Sequence, residues 1–119
     1  MAVHRHHALD YVEIPVPDLE AAVRFYGDAF GWRFNDYGGA YAGIQDPADP
    51  SAEVGGLAPA DDPTAGGPLV LLYSDDLDAS VVAVERAGGT VINGPYEFPG
   101  GRRFHFTDPG GVELGVWGE

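Results

Sequence analysis

Two hydrophobic periods alternate along the chain, one typical of β-strands and the other of α-helices. Every second residue is apolar towards the end of Leu9–Val16, which predicts a strand whose core-facing side chains are Val12, Ile14 and Val16. A helical stripe of apolar residues follows in Leu19–Phe30. The same two periods return in Leu69–Tyr73 and Leu77–Ala87, so the strand–helix order is predicted twice.

Each predicted helix has an acidic N-cap and a glycine just beyond its end. Asp18 precedes the first helix, and Asp75 or Asp76 precedes the second. The pairs Asp18-Leu19 and Asp76-Leu77 are 58 residues apart, as are Gly31 and Gly89. The Asp-Pro turns that begin at positions 46 and 108 are 62 residues apart, so the second half is slightly longer before that turn. The N-cap, the apolar helical stripe, the glycine at the helix end and the Asp-Pro turn occur in the same order in both halves, which indicates an internal duplication.

Shorter apolar segments between Gly, Asp and Pro turns predict the remaining strands, which are Trp32–Tyr37, Tyr41–Gln45, Glu53–Leu57, Thr90–Asn93, Arg102–Thr107 and Val112–Trp117. Each half then has the order βαβββ. The predicted fold class is α+β, with two βαβββ modules forming a curved eight-stranded mixed sheet around a cleft and the helices on its convex side. Within one structural domain we expect a polar tail at 1–8, the first module at 9–57, a linker at 58–68 and the second module at 69–119.

Amino-acid composition and net charge exclude several classes of function. The absence of cysteine excludes disulfides and thiolate sites, and a formal net charge of -13 argues against nucleic acid as a partner. No apolar run is long enough to span a membrane, and residues 1–7 do not resemble a signal peptide, so we expect a cytoplasmic protein. A histidine cluster at 4–7 could bind metal, but a frayed terminus is the preferred interpretation. A small chain with an open sheet is also expected to form a homodimer.

Several segments resemble the vicinal oxygen chelate superfamily, which includes glyoxalase I, extradiol dioxygenases and the fosfomycin and bleomycin resistance proteins. The motifs that carry the resemblance are Pro17-Asp18-Leu19-Glu20-Ala21-Ala22 running to Phe25-Tyr26, then Phe30-Gly31-Trp32, and Phe106-Thr107-Asp108-Pro109-Gly110-Gly111. The resemblance covers residues 9–118 and implies the duplicated fold predicted above. Its motifs are specific for the fold and not for one activity.

The resemblance implies four metal-ligand positions, which in metal-dependent members carry mostly His and Glu. In this chain they fall on Tyr11, on Leu69, near Gly55 or Gly56, and on Gly115. Leucine and glycine have no ligating side chain, and a neutral tyrosine is a poor ligand. We therefore expect no metal and no other cofactor, and we do not expect metal-dependent glyoxalase activity. An alternative is a relocated metal site that uses Glu13, Glu113 and His105.

Strand alternation assigns a mostly aromatic and aliphatic set of side chains to the predicted cleft. His105, Glu13 and Arg103 are the candidate catalytic residues, since a histidine near neutrality can act as acid or base and an arginine can hold a carboxylate. Each has a structural alternative, namely a His105 paired with a carboxylate, an Arg103–Glu113 pair and a structural Glu13. The candidate ligand-binding residues are Tyr11, Gln45, Leu69, Leu71, Tyr73, Phe98, Glu113 and Trp117, with Phe98 and Tyr96 in a loop that could cover the cleft.

Two classes of function are favoured, and a non-catalytic domain that works only by partnering other proteins is a third alternative. The first is a protein that binds a small, partly hydrophobic organic molecule without metal, similar to the bleomycin resistance branch. The second is a lyase, isomerase or dioxygenase-type enzyme of the same superfamily that uses His105 with Glu13 and Arg103, or a relocated metal. Whether the protein is an enzyme is left open at this point, and so is the identity of the ligand.

Overall fold

The computed structural model describes residues 3–62 and 67–119 of the chain. The elements in chain order are β1 (Leu9–Val16), α1 (Leu19–Phe30), β2 (Phe34–Asp36), β3 (Ala42–Asp46), β4 (Asp49–Pro59), β5 (Leu69–Tyr73), α2 (Leu77–Arg86), β6 (Thr90–Phe98), β7 (Gly101–Thr107) and β8 (Glu113–Gly118). The eight strands form a mixed sheet. The predictions of a repeated βαβββ order and of an eight-stranded mixed sheet are therefore confirmed.

The chain divides into two units of similar size. The first contains residues 1–3 and 11–68, and the second contains residues 4–10 and 69–119. Strand order is β2-β3-β4-β1 in the first unit and β5-β8-β7-β6 in the second. In each unit one strand pair is parallel, β1 with β4 and β5 with β8, and the other pairs are antiparallel.

The helix caps follow the sequence pattern. Asp18 accepts a hydrogen bond from the Ala21 amide at 3.1 Å, and Asp76 does the same for the Ala79 amide at 3.1 Å, which selects Asp76 over Asp75 as the second cap. Gly31 ends α1 with φ of 72°, a left-handed conformation that glycine adopts without cost.

Each helix packs against one face of its own unit's sheet. The buried residues between α1 and its sheet are Val16, Ala42, Ile44 and Leu57, and those between α2 and its sheet are Leu77 of the helix with Phe104 and Val116 of the strands. The α1 stripe is shorter than the sequence predicts, because Phe30 at its end is 64% exposed. Val12 is also 38% exposed, since the cluster under α1 includes Ile14 and Val16 but not Val12.

Two strands are much longer than the sequence predicts, namely β4, which covers Asp49–Pro59 and not only Glu53–Leu57, and β6. The sequence predicts a strand that stops at Asn93 and a loop carrying Tyr96 and Phe98. The structure instead continues the strand to Phe98, with Tyr96 paired with Arg103 and Phe98 with Gly101 of β7. A register shift between Asn93 and Tyr96 accommodates the Gly-Pro sequence that had suggested a loop. Both aromatic residues therefore belong to the sheet.

Candidate functional site

In the first unit, the sheet face opposite α1 carries a row of four residues in register. Glu13 of β1 pairs with Gly56 of β4, Gly56 with Gly43 of β3, and Gly43 with Asn35 of β2. Gly56 and Gly43, in the middle of this row, have no side chain, and the side chains of other residues fill the space above them. A Cβ on Gly56 would overlap the Tyr41 side chain, and a Cβ on Gly43 would overlap the Glu53 carboxylate.

Tyrosines and carboxylates are hydrogen-bonded over this row. The Tyr11 and Tyr41 hydroxyl oxygens are 2.6 Å apart, and the Tyr41 hydroxyl donates to Glu13 at 3.2 Å. The Tyr37 hydroxyl donates to Glu53 at 2.5 Å. Asn35 Nδ2 also donates to Glu53, at 2.9 Å, and its Oδ1 accepts from Gln45 Nε2 at 2.8 Å. We call these seven side chains the tyrosine–carboxylate network, and they are Tyr11, Glu13, Asn35, Tyr37, Tyr41, Gln45 and Glu53.

This environment extends the protonated state of the tyrosines, which is their ordinary state at neutral pH, to more alkaline pH. Burial is the main cause that raises the pKa of Tyr11 and of Tyr41 well above the usual tyrosine range. The hydrogen bond to Glu53 is the main cause that raises the pKa of Tyr37. These hydroxyl groups therefore act as hydrogen-bond donors at neutral pH, with the carboxylates as acceptors.

The second unit carries the equivalent row, but with different chemistry. Leu71 of β5 pairs with Gly115 of β8, Gly115 with His105 of β7, and His105 with Asn93 of β6 through the shifted part of the ladder. The Leu71 side chain fills the space over Gly115, because a Cβ there would overlap Leu71 Cδ2. A histidine thus takes the place of the central Gly43 of the first unit, and a leucine takes the place of Glu13.

His105 is held between a carboxylate and a tyrosine. Its Nδ1 lies 2.9 Å from Glu113 Oε2, and its Nε2 lies 2.8 Å from the Tyr96 hydroxyl. Arg103 Nε donates to the Tyr96 hydroxyl at 2.6 Å and approaches His105 Nε2 at 3.3 Å. If the imidazole proton is on Nδ1 towards Glu113, His105 Nε2 is left to accept from the Tyr96 hydroxyl and from Arg103 Nε. The result is an ordered chain from Arg103 through Tyr96 and His105 to Glu113.

Aromatic rings surround this chain. Tyr73 pairs with Trp117, and Trp117 with Arg103, in the strand ladder next to His105. The Arg103 guanidinium carbon lies 5.7 Å from the centroids of both Tyr96 and Phe98, within the range of cation–π attraction. Phe98 in turn contacts Trp117 edge to face at 6.1 Å. We call Tyr73, Tyr96, Phe98, Arg103 and Trp117 the aromatic surface of the second unit.

The N-terminal histidines make defined contacts in this unit, which differs from the frayed terminus expected from the sequence. His4 stacks on Tyr73 with 5.0 Å between ring centroids and meets Trp117 edge to face at 4.8 Å. His6 accepts a hydrogen bond from the Asp75 amide at 2.8 Å. The rings of Tyr73 on β5 and Trp117 on β8 stabilise the position of this polar histidine cluster, which has no apolar side chains of its own to pack there.

The metal-ligand positions implied by the resemblance do not fit a metal ion. The Tyr11 hydroxyl is engaged with Tyr41, and the spaces over Gly56 and Gly115 are filled by Tyr41 and Leu71. In residues 3–62 and 67–119 no three His, Cys, Asp or Glu side chains lie close enough together to hold a metal ion. The donor set at these positions is thus phenolic and aliphatic, which divalent metals do not prefer.

The structure brings most of the predicted residues together within their own units. His105, Arg103, Glu113, Phe98 and Trp117 meet in the second unit, and the alternative pairing of His105 with a carboxylate is the one observed, with Glu113. Tyr73 and Leu71 are only 7% and 2% exposed, and Leu69 lies half-buried on the same strand. In the first unit Tyr11 and Glu13 are joined through Tyr41, and Gln45 is joined through Asn35 to Glu53.

Sequence reasoning missed several participants. Tyr41 shares the strand alternation of Gln45, so the same rule that selected Gln45 would have selected it. Asn35 lies at the centre of the short strand β2 and Glu53 in the middle part of β4, at registers that the sequence does not specify. The contacts of His4 with Tyr73 and Trp117 were missed because a contact between the N-terminal segment and distant strands leaves no local signal.

No helix in the described ranges is long and apolar enough to cross a membrane.

Comparison with known proteins points to one family. The family model for the Glyoxalase/Bleomycin resistance protein/Dioxygenase superfamily matches residues 8–116. The chain is 30% identical over 122 residues to CFP32, a candidate glyoxylase of Mycobacterium bovis, with 96% of this chain and 46% of that protein covered. A Mn(II)-bound glyoxalase from Novosphingobium aromaticivorans has a similar structure, with a TM-score of 0.70 and 26% identity over 98% of this chain and 40% of that one. The chain therefore spans about half the length of these two proteins. Methylmalonyl-CoA epimerase from Mycobacterium tuberculosis shares the fold at 22% identity, with a TM-score of 0.64 over 99% of this chain and 91% of that one.

Proposed function

We propose that this protein binds a small, partly hydrophobic organic molecule on the aromatic surface of the second unit, without the metal ion used by metal-dependent relatives. The chain belongs to the Glyoxalase/Bleomycin resistance protein/Dioxygenase superfamily, and that membership is the premise of the proposal. The superfamily contains binding proteins as well as enzymes, so the residues of this chain have to decide between them.

One observation carries the proposal. The spaces over Gly56 and Gly115 are taken by Tyr41 and Leu71, at two of the positions where a metal-dependent member would present ligands. A new ligand side chain at either glycine would have to displace a packed neighbour. The loss of ligands is therefore built into the packing of both units, which supports a site that works without metal.

The chemistry of the surface suggests what it binds. Arg103 offers a positive charge framed by Tyr96 and Phe98, and Trp117 adds a large apolar ring beside them. A planar ring with a carboxylate would match both features, because the ring can stack on the aromatic side chains while the carboxylate meets the guanidinium. We therefore propose aromatic carboxylates as the first ligands to test.

Metal content tests the metal-free part of the proposal. Tag-free protein is incubated with Mn²⁺ or Zn²⁺, dialysed and analysed for metal by mass spectrometry. We expect far less than one ion per chain. A stoichiometric divalent ion that survives dialysis would refute it.

Neighbouring arginines provide a matched test of ligand binding. The probe is 2-naphthoate, titrated into the protein and followed by amide NMR shifts. Arg103→Gln should weaken binding about tenfold, which corresponds to about 1.4 kcal/mol and is typical of one charged hydrogen bond. Arg102→Gln is the control, because Arg102 pairs with Asp78 at 3.1 Å outside this surface. Equal effects of the two substitutions, or no saturable shift at all, would contradict the proposal.

A second candidate function is acid–base catalysis by His105. The observation that favours it is the geometry of His105, whose Nδ1 lies 2.9 Å from Glu113 and whose Nε2 lies 2.8 Å from the Tyr96 hydroxyl. Such an arrangement prepares a histidine to take a proton once a substrate displaces Tyr96. An isomerase or lyase would use this step to remove a proton next to a carbonyl group.

Hydrogen–deuterium exchange can detect this step before the substrate is known. A panel of small carbonyl compounds is incubated with the protein in D₂O, and loss of the proton next to the carbonyl is followed by NMR. An enzyme should exchange at least one compound, and His105→Ala should abolish the exchange while His6→Ala does not. Exchange that persists in His105→Ala would exclude this role.

Self-association remains a further part of the proposal. Phe25 and Phe30 on α1 are 58% and 64% exposed and contact each other edge to face, so they form an exposed apolar pair on one helix. CFP32 carries about twice this length in one polypeptide, which favours a second copy of this chain as the partner. Light scattering should give a dimer, and Phe25→Glu should give a monomer. A monomer in the unmodified protein would refute this.

A further inference from the structure

His4 lies in a small cage on the second unit. Its ring stacks on Tyr73 at an interplanar angle of 21° and meets Trp117 at 85°. Its Nδ1 is 2.8 Å from Asp10 Oδ1, while the other oxygen of Asp10 accepts from Trp117 Nε1 at 2.9 Å. The Asp10 side chain is only 12% exposed, so its carboxylate is aimed at the ring and not at bulk water.

The cage walls are held independently of His4. Tyr73 and Trp117 are paired in the β5–β8 ladder and contact each other edge to face at 5.0 Å. The Tyr73 hydroxyl donates to Glu119 at 3.1 Å, and Trp117 orients Asp10 through its indole N–H. Removing the imidazole should therefore leave two aromatic walls and an oriented carboxylate in place. Such a site suits a flat ring that carries an N–H donor.

We infer that Tyr73, Trp117 and Asp10 form a binding subsite for a planar nitrogen heterocycle with an N–H donor, such as an imidazole, and that His4 occupies this subsite as an internal competitor. The segment that carries His4 is anchored nearby, since the His7 amide donates to the Tyr73 carbonyl at 2.7 Å and the Ala8 carbonyl accepts from the Tyr73 amide at 3.1 Å. The side chain of His4 can therefore leave the cage without the segment detaching.

Two contacts define what the ligand must offer. The stack on Tyr73 requires a flat ring of limited size, because Trp117 closes the second side. The carboxylate of Asp10 requires a donor in the plane of that ring. A ring without an N–H donor would leave Oδ1 of the Asp10 carboxylate without its hydrogen-bond partner, which costs binding free energy. The subsite should therefore distinguish imidazole from furan, which has the same ring size but no N–H.

The inference names a ligand class for part of the proposed aromatic surface and to that extent rests on the proposed function. The subsite and the proposed function are tested by separate experiments. Metal content and 2-naphthoate binding decide the proposed function, whereas imidazole binding at Asp10 decides the subsite. Imidazole binding could fail while 2-naphthoate still responds to Arg103→Gln, and the reverse could also occur.

The experiment uses the full chain with His4→Ala and free imidazole as the probe. Binding is followed by the indole Nε1–H resonance of Trp117, identified in a Trp32→Phe background. His4→Ala should bind imidazole in a saturable way and at least about tenfold more tightly than the unmodified protein, which follows from the removal of an internal competitor. Furan should bind at least about tenfold more weakly than imidazole, as expected for the loss of a charge-assisted hydrogen bond.

Two variants control the interpretation. His6→Ala removes a neighbouring histidine that contacts Asp75 and not the cage, so its imidazole binding should equal that of the unmodified protein. Asp10→Asn added to His4→Ala should reduce imidazole affinity about tenfold. No saturable shift in His4→Ala, or equal binding of imidazole and furan, would overturn the inference. If His4→Ala loses the dispersion of a folded spectrum, His4→Gln replaces it with the same expected outcomes.

Discussion

Gly56 provides a direct test of how the first unit is packed. In Gly56→Ala the new Cβ would lie 2.5 Å from Tyr41 Cε1 and closer still to its Cζ and hydroxyl oxygen. A contact this short forces the Tyr41 ring to move. The ring would then leave the Tyr11 hydroxyl, now 2.6 Å away, and the Glu13 carboxylate, now 3.2 Å away.

The expected cost follows from these contacts. A hydrogen bond between neutral groups contributes about 0.5–1.5 kcal/mol to stability, and one to a charged group about 1.5–3 kcal/mol. Strain from an extra carbon in a packed site adds about 1–3 kcal/mol. Because Tyr11 and Tyr41 are half-buried, water replaces part of the lost bonding. We therefore expect Gly56→Ala to lower the free energy of unfolding by about 2–4 kcal/mol, measured by urea denaturation.

Gly27 is the matched control. It lies inside α1, and the nearest atom to a Cβ there is the Trp32 carbonyl oxygen at an ordinary 3.7 Å. Gly27→Ala should therefore raise the free energy of unfolding by about 0.5–1 kcal/mol, through better helix propensity and a less flexible unfolded chain. The same chemical change is thus predicted to have opposite signs at two positions.

A double-mutant cycle identifies the cause. If the clash with Tyr41 carries the cost, adding Gly56→Ala to Tyr41→Ala should cost less than about 0.5 kcal/mol, within the additivity error of such cycles. Equal costs in the two backgrounds, or a neutral Gly56→Ala, would show that the packing over Gly56 is not as described.

Three further predictions concern the core, a helix cap and alkaline pH. Phe104 is fully buried under α2, so Phe104→Ala should cost about 3–5 kcal/mol in urea denaturation. Asp76→Ala should cost about 1 kcal/mol through loss of the N-cap, whereas the same change at the neighbouring Asp75 should stay within about 0.5 kcal/mol. Tyr41 has a raised pKa in the folded state, so its contribution is fully present below the usual tyrosine pKa of 10.0 and is lost as pH rises above it. At pH values above the usual tyrosine pKa, the melting temperature of Tyr41→Phe should therefore fall less steeply with pH than that of the unmodified protein. An equal slope in the two proteins would contradict the raised pKa of Tyr41.

The elements that depend on local pattern were predictable from the sequence. The bounds of β1, α1 and β5 match the predicted segments, because alternation, caps and the terminal glycine are all local signals. The second helix ends at Arg86, one residue before the predicted end. Duplication then made the βαβββ order of each unit predictable, since two weak patterns with the same spacing support one another.

Features that depend on strand register were not predictable in this way. β6 continues past Asn93 because a register shift lets the Gly-Pro sequence remain in the ladder, and composition alone suggested a loop. The pairing of Glu113 with His105 instead of Arg103 also depends on register, since Thr107 and not Arg103 lies opposite Glu113. The cage around His4 depends on contacts between residues more than a hundred positions apart, such as Trp117 with Asp10.

The two rows of paired residues show how the repeats diverged. Glu13 and Leu71 occupy equivalent positions, as do Asn35 and Asn93, while Gly56 and Gly115 are glycine in both units. At both glycines a neighbouring side chain fills the space that a Cβ would need. The bulky neighbour and the glycine therefore depend on each other, because neither Tyr41 nor Leu71 could keep its position beside a larger residue. A metal-ligating side chain introduced at Gly56 or Gly115 would meet this packing first, so it would require a second change at Tyr41 or Leu71.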